Sequence, residues 1–283
     1  MSCIIQNRIP DTQVYLETNP CPTELQHGTY ECHVFLSPVN PDDETVAIYN
    51  EATERINAKR LAKNKNYGKM KPCHLALDFK NKGYVRVMQS ARYVVCNTLK
   101  DAIAEVQRDA DDYIETLNEL LKERKSYIQI NVIREKLECL ASTDGVPKSD
   151  EDGKAFNKHY FEAHIKIEKE NNDHTTAGPI NDNEIKEIEM ISQEFSEKFA
   201  YPVPFSYNAA TGSEYQRFLN IRVRNAGCDT FRDRINQIVN AINGLTHFKW
   251  AKTIAEYIPY DSLPQLDQGW IDPPEKVEIS NVN

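Results

Sequence analysis

The chain lacks most of the features that announce a familiar chemistry. None of its seven cysteines (Cys3, Cys21, Cys32, Cys73, Cys96, Cys139, Cys228) belongs to a Cys-x-x-Cys pair. That argues against a zinc knuckle and against a disulfide framework. No window approaches the roughly 20 apolar residues of a membrane-spanning helix, and the first residues contain no apolar run of signal-peptide length. No membrane association and a cytoplasmic location are therefore expected. Basic residues are outnumbered, 34 Lys and Arg against 43 Asp and Glu, for a net charge of −9. Broad, sequence-blind nucleic-acid binding needs a basic surface and is not expected. A Gly-rich phosphate loop, a His-Glu-x-x-His helix, a Gly-x-Ser-x-Gly elbow and carboxylates paired at metal spacing are all missing. On these grounds neither a metal nor an organic cofactor is expected.

What is present is a string written twice. Tyr30-Glu31-Cys32-His33-Val34-Phe35-Leu36 returns as Phe161-Glu162-Ala163-His164-Ile165-Lys166-Ile167. Each alternates in the manner of a half-buried strand. After the first come Asp43 as a helix cap and Val46, Tyr49, Ala52 and Ile56 at helical spacing. After the second, Asp182, Ile185, Ile188, Ile191 and Phe195 take the same places. Cys96-Asn97-Thr98-Leu99 likewise recurs as Cys228-Asp229-Thr230-Phe231, opening another helix. The inferred order is β-α-β-β-α-β, the ferredoxin-like unit. The expected fold is α+β, a tandem duplication of that unit with antiparallel sheets and helices on one face. The expected divisions are an N-terminal arm (1–27), a first repeat (28–141), a linker (142–158), a second repeat (159–258) and a C-terminal tail (259–283).

In such a unit the sheet face away from the helices carries the polar groups. It is expected to present Glu31, His33, His74, Arg86 and Arg92 in the first half, and Glu162, His164, Arg222 and Arg224 in the second. Two such faces turned toward each other would place His33 and His164 about a shared cleft. Imidazoles, arginines and glutamates converging there suit a phosphate or carboxylate ligand. Other candidates are the basic loop from Lys59 to Lys71, the loop His174-Thr175-Thr176, and Trp270 docking onto a domain.

The paired strand histidines resemble those of the 2H phosphoesterases, whose two lobes each contribute a His-x-Thr/Ser strand; here Phe35 and Lys166 stand two residues beyond the histidines. Glu162-Ala163-His164-Ile165-Lys166 is similar to the Glu-x-Glu-x-Lys strand of the triphosphate tunnel enzymes, with His in place of the second Glu. Neither motif is complete. The first expectation is accordingly a non-catalytic binding or structural module that uses its sheet faces or edges, with an anionic small molecule or a protein as partner. The alternative is a phosphoester- or nucleotide-processing enzyme in which His33 and His164 act as general acid and base, a role that typically contributes about 10²–10⁴-fold.

Overall fold

The computed structural model describes residues 3–9, 11–19, 22, 25, 28–63, 68–79, 83–169, 179–208 and 216–267. The His174 loop, Trp270 and Lys65 of the basic loop lie outside them. A short helix α1 (Thr12–Thr18) precedes β1 (Gly28–Leu36), α2 (Asp43–Ala62), β2 (Lys71–Phe79), β3 (Gly83–Cys96), α3 (Leu99–Glu123) and β4 (Val132–Leu140). Then follow α4 (Asp150–Ala155), β5 (Tyr160–Lys169), α5 (Asp182–Phe199), β6 (Phe205–Asn208), β7 (Gln216–Arg224), α6 (Cys228–Asn243), β8 (Phe248–Asp261) and a 3₁₀ turn (Pro264–Asp267). The helix starts carry side-chain caps: Asp42, one residue before the expected Asp43, accepts from the Thr45 amide, and Thr98 accepts from the Asp101 amide. Asn181 and Glu184 close a capping box on α5.

The strands do not form two ferredoxin-like sheets. All eight close into one antiparallel barrel in the order β1-β3-β2-β6-β7-β5-β8-β4, and this corrects the expected tandem duplication. Two seams make the closure. β2 pairs with β6 (Ala76 opposite Tyr207), and β4 pairs with β8 (Lys136 opposite Asp261, Leu140 opposite Glu256). Four-stranded open sheets would have left two edges each, with rows of unpaired backbone groups; pairing edge to edge satisfies them. The second seam was hidden by Pro259, which reads as the end of a strand. In the barrel it falls at the register shift between Leu137 and Cys139, and β8 continues to Asp261. Closure takes β4 and β8, and the middle of β2 with β6, out of the set of free sheet edges.

The outer faces of the strands carry the apolar core. Cys32, Val34 and Leu36 pack with Ile48, Tyr49, Ala52 and Ile56 of α2 and with Ile103, Val106, Ala110 and Tyr113 of α3. Ala163, Ile165 and Ile167 pack with Ile188, Ile191 and Phe195 of α5 and with Phe231, Ile235 and Ile238 of α6. Each large aliphatic buried this way is worth about 1.5–3 kcal/mol, which offsets the cost of what the barrel encloses. No helix among the described residues is long and apolar enough to cross a membrane.

Candidate functional site

The inner faces are built from charge. Period-2 geometry sends Glu31, His33 and Phe35 inward from β1, opposite Glu138, Lys136 and Arg134 of β4. On β5 the inward residues are Glu162 and His164, with Arg222 and Asn220 of β7 on one side and Glu256 and Ile254 of β8 on the other. His33, Arg134, Lys136, Glu138, Glu162, Asn220, Arg222 and Glu256 are all buried. Burying charge is costly unless it is paired, so the pairing decides what this interior is for.

His33 is fixed by its Nδ1, 3.1 Å from the Ser90 carbonyl oxygen. A carbonyl only accepts, so Nδ1 carries the hydrogen and Nε2 points into the barrel. There Nε2 comes within 3.0 Å of Glu138 Oε2 and 3.9 Å of Glu31 Oε1. The Glu138 carboxylate is thus the nearest partner of Nε2, at ion-pair distance. Burial disfavours the imidazolium, but Glu138 and Glu31 outweigh it and hold the His33 pKa above its ordinary value. One ligand atom from each of Glu31, His33 and Glu138 lies within 4.8 Å of the other two, a grouping able to hold a metal ion.

From there a chain of ion pairs crosses to the other strand. Lys136 Nζ lies 2.5 Å from Glu138 Oε1 and 2.7 Å from Glu162 Oε2. Glu162 is also bound by the Arg222 guanidinium and faces His164 Nε2 at 3.2 Å. His164 Nδ1 donates to Asn220 Oδ1 at 2.6 Å; Asn220 donates in turn to Ser206 Oγ and the Pro204 carbonyl, which fixes the amide's orientation. Burial raises the Glu162 carboxyl, but Arg222 and Lys136 outweigh it and hold it well below the usual range. Glu256 has no such luck with its neighbours. Burial, then Glu138, Glu31 and Glu162, push its carboxyl up to about 10, so it is neutral at pH 7.

The two ends of the interior differ. At one end Arg134 binds Asp261 (2.5 Å) and Asp267 (2.6 Å), with Tyr160 donating to Asp261 at 2.8 Å. The 3₁₀ turn delivers Asp267 into the barrel and so covers that end. At the other end Glu31 keeps 14% of its side chain exposed, and Tyr93, Val95 and Leu140 continue the inner rows as exposed residues. The Glu31–His33–Glu138 group therefore sits just inside an open, partly apolar rim.

Of the residues expected on the shared face, the barrel brings together Glu31, His33, Glu162, His164 and Arg222. Arg224 also belongs to this interior, its guanidinium 6.0 Å from the Tyr160 ring centre. Arg92, Arg86 and His74 do not join them. Cys32 opposes Arg92 and His33 opposes Ala91, so Arg92 lies on the helix side. There it binds Asp109 at 2.8 Å and Glu105 at 3.0 Å of α3. Arg86 donates to the Pro41 carbonyl at 2.7 Å, and His74 pairs opposite Met88 on the same side. From the basic loop, Lys59 binds Glu119 at 2.8 Å and Arg60 binds Asp109 and Asp112, each at 2.6 Å. They neutralise α3 instead of offering a basic surface. Sequence reasoning missed Arg134, Lys136, Glu138, Glu256, Asp261 and Asp267. The signal was present in Arg134-x-Lys136-x-Glu138, three charges on one face of a strand.

No protein-family profile matches the chain, and no curated protein matches its sequence. Among solved structures it is similar to a provisionally assigned monooxygenase from Lactobacillus acidophilus, at 9% identity over 83% of this chain and 95% of that one, with a TM-score of 0.25. A provisionally assigned chlorite dismutase matches at 9% identity over 85% and 97%, with a TM-score of 0.24. A dye-decolorizing protein from Vibrio cholerae matches at 8% over 83% and 94%, with a TM-score of 0.23. Overlaps this low carry no argument about function.

Proposed function

We propose that the protein is a ligand-binding barrel whose site is the acidic end of its interior, and that the ligand is a cation. One observation carries this reading. Glu31, Glu138 and Glu162 gather at that end around Lys136 and Arg222, with the neutral Glu256 carboxyl beside them. An anionic ligand held by arginines is disfavoured on the same ground. Arg92 is bound to Asp109 and Glu105, Arg134 to Asp261 and Asp267, and Arg222 to Glu162.

Thermal unfolding of the full chain tests this, run for wild type and Glu31→Gln with metal ions, guanidinium and short alkylamines, and with phosphate and nucleotides. A ligand at 100 times its Kd stabilises by about 2.7 kcal/mol. Some cation is expected to raise the wild-type Tm by several degrees and to lose that effect in Glu31→Gln. Stabilisation by anions alone would overturn the reading.

A second reading has its own support. The continuous chain His33–Glu138–Lys136–Glu162–His164 links the two imidazoles, an arrangement suited to a phosphoester-processing enzyme with His33 and His164 as acid and base. Here His164→Ala should abolish turnover on a phosphoester panel; full activity in that variant, or no turnover by wild type, sinks it.

A further inference from the structure

We infer that Glu31, His33 and Glu138 bind one divalent transition-metal ion, with open coordination positions facing the rim at Tyr93. This rests on the cation-binding reading above and names the class of cation.

Three features point to a metal ion. The first is the donor set. One imidazole nitrogen and two carboxylate oxygens form a donor set that suits manganese(II), iron(II) or zinc(II). The second is His33 itself. Its Nε2 is aimed between the two carboxylates, 3.0 Å from Glu138 and 3.9 Å from Glu31, on a side chain only 7% exposed. The ring is held in that attitude by Nδ1–H donating to the Ser90 carbonyl, the support that orients a metal-bound histidine. The third is the cross-strand neighbour. Glu162 faces Arg222 on β7, and Glu31 at the corresponding register of β1 faces Tyr93 on β3. Where one strand carries a built-in cation, the other carries a neutral phenol hydrogen-bonded to its glutamate.

The distances come close to those of a bound ion. Donors about 2.0–2.2 Å from an ion stand roughly 3–3.6 Å from one another. Here His33 Nε2 lies 3.0 Å and 3.9 Å from the two carboxylate oxygens, so a rotation of Glu31, the partly exposed member, closes the set. The exposed Tyr93, Val95 and Leu140 form the rim next to Glu31.

The full chain, stripped with EDTA and desalted, is titrated with Mn²⁺ while free ion is followed by electron paramagnetic resonance. Zn²⁺ is titrated in parallel against a chromophoric chelator. One ion per chain is expected. Glu31→Gln and His33→Ala should weaken binding on the order of 10–100-fold, and Glu115→Gln, an exposed carboxylate on α3, should leave it unchanged. Glu31→Gln preserves side-chain shape at a partly exposed position, so it keeps the test valid where His33→Ala fails to fold. Two outcomes overturn the metal site: wild type binding neither ion, or Glu31→Gln binding as tightly as wild type. If an organic cation still stabilises wild type and not Glu31→Gln while both metals stay free, the metal assignment falls and the broader cation-binding reading stands. No stabilisation by any cation removes both.

Discussion

Glu31 and Glu162 occupy corresponding places on β1 and β5, each two residues before a histidine and each with a glutamate across the strand on one side, Glu138 and Glu256. They differ in what stands on the other side. Glu162 has Arg222 there and Lys136 within 2.7 Å, and is fully compensated. Glu31 has the hydroxyl of Tyr93 and the His33 imidazole at 3.9 Å. The same backbone thus supports a closed charge network on one strand and an acidic group short of a cation on the other. A network that is complete contributes structure. One that is incomplete, beside an open rim, is where a ligand belongs.

The sharpest way to break this contrast is to remove the built-in cation. Arg222→Ala leaves Glu162 buried with only Lys136 and His164, and losing one partner of a buried pair typically costs about 3–5 kcal/mol. Urea unfolding should show a destabilisation of that size. A loss under about 1 kcal/mol would mean that the second strand is no better compensated than the first.

A pH experiment separates these networks from a neighbour that would blur them. His159 is buried beside the start of β5, its Nδ1 2.8 Å from the Tyr257 hydroxyl, and burial lowers its pKa to about 4. Unfolded, the imidazole titrates near 6.5, so the unfolded chain binds the extra proton first. The contribution of neutral His159 is therefore complete above about pH 6.5 and lost as pH falls toward 4, by about 2–3 kcal/mol. In His159→Phe the loss of stability between pH 6.5 and 4 should shrink by that amount; an unchanged slope would assign acid sensitivity to other groups.

The smallest effect is expected at Tyr93. It is 55% exposed and neutral, so Tyr93→Ala should cost no more than about 1 kcal/mol. A cost near that of Arg222→Ala would show that the phenol already satisfies Glu31 and that no external cation is wanted.

Strand and helix positions were legible because the apolar rows that face α2, α3, α5 and α6 repeat with clear periods. Closure was not, since alternation says which face of a strand is apolar and not which strand lies beside it. The faces of β2 and β3 were inverted for a related reason. In a closed barrel both faces are buried, so Val87 and Ala91 line the interior while Arg92 and Ser90 turn toward α3. A one-residue change of register moves every side chain across the sheet. On β4 a register shift opposite Phe35 and Leu36 leaves Val132 in the core and sends Arg134, Lys136 and Glu138 inward. His33, His164, Glu31, Glu162 and Arg222 were readable as one polar face. Glu138, the third member of the candidate metal group, became visible only through that pairing.

The most direct test of the contrast transplants the missing cation. Tyr93→Arg places a guanidinium opposite Glu31, as Arg222 stands opposite Glu162, at a position exposed enough to admit it. Thermal unfolding of wild type and variant is then compared with and without saturating Mn²⁺. Mn²⁺ should stabilise wild type only, and without metal the variant should be at least as stable as wild type. An undiminished Mn²⁺ stabilisation in Tyr93→Arg would contradict it.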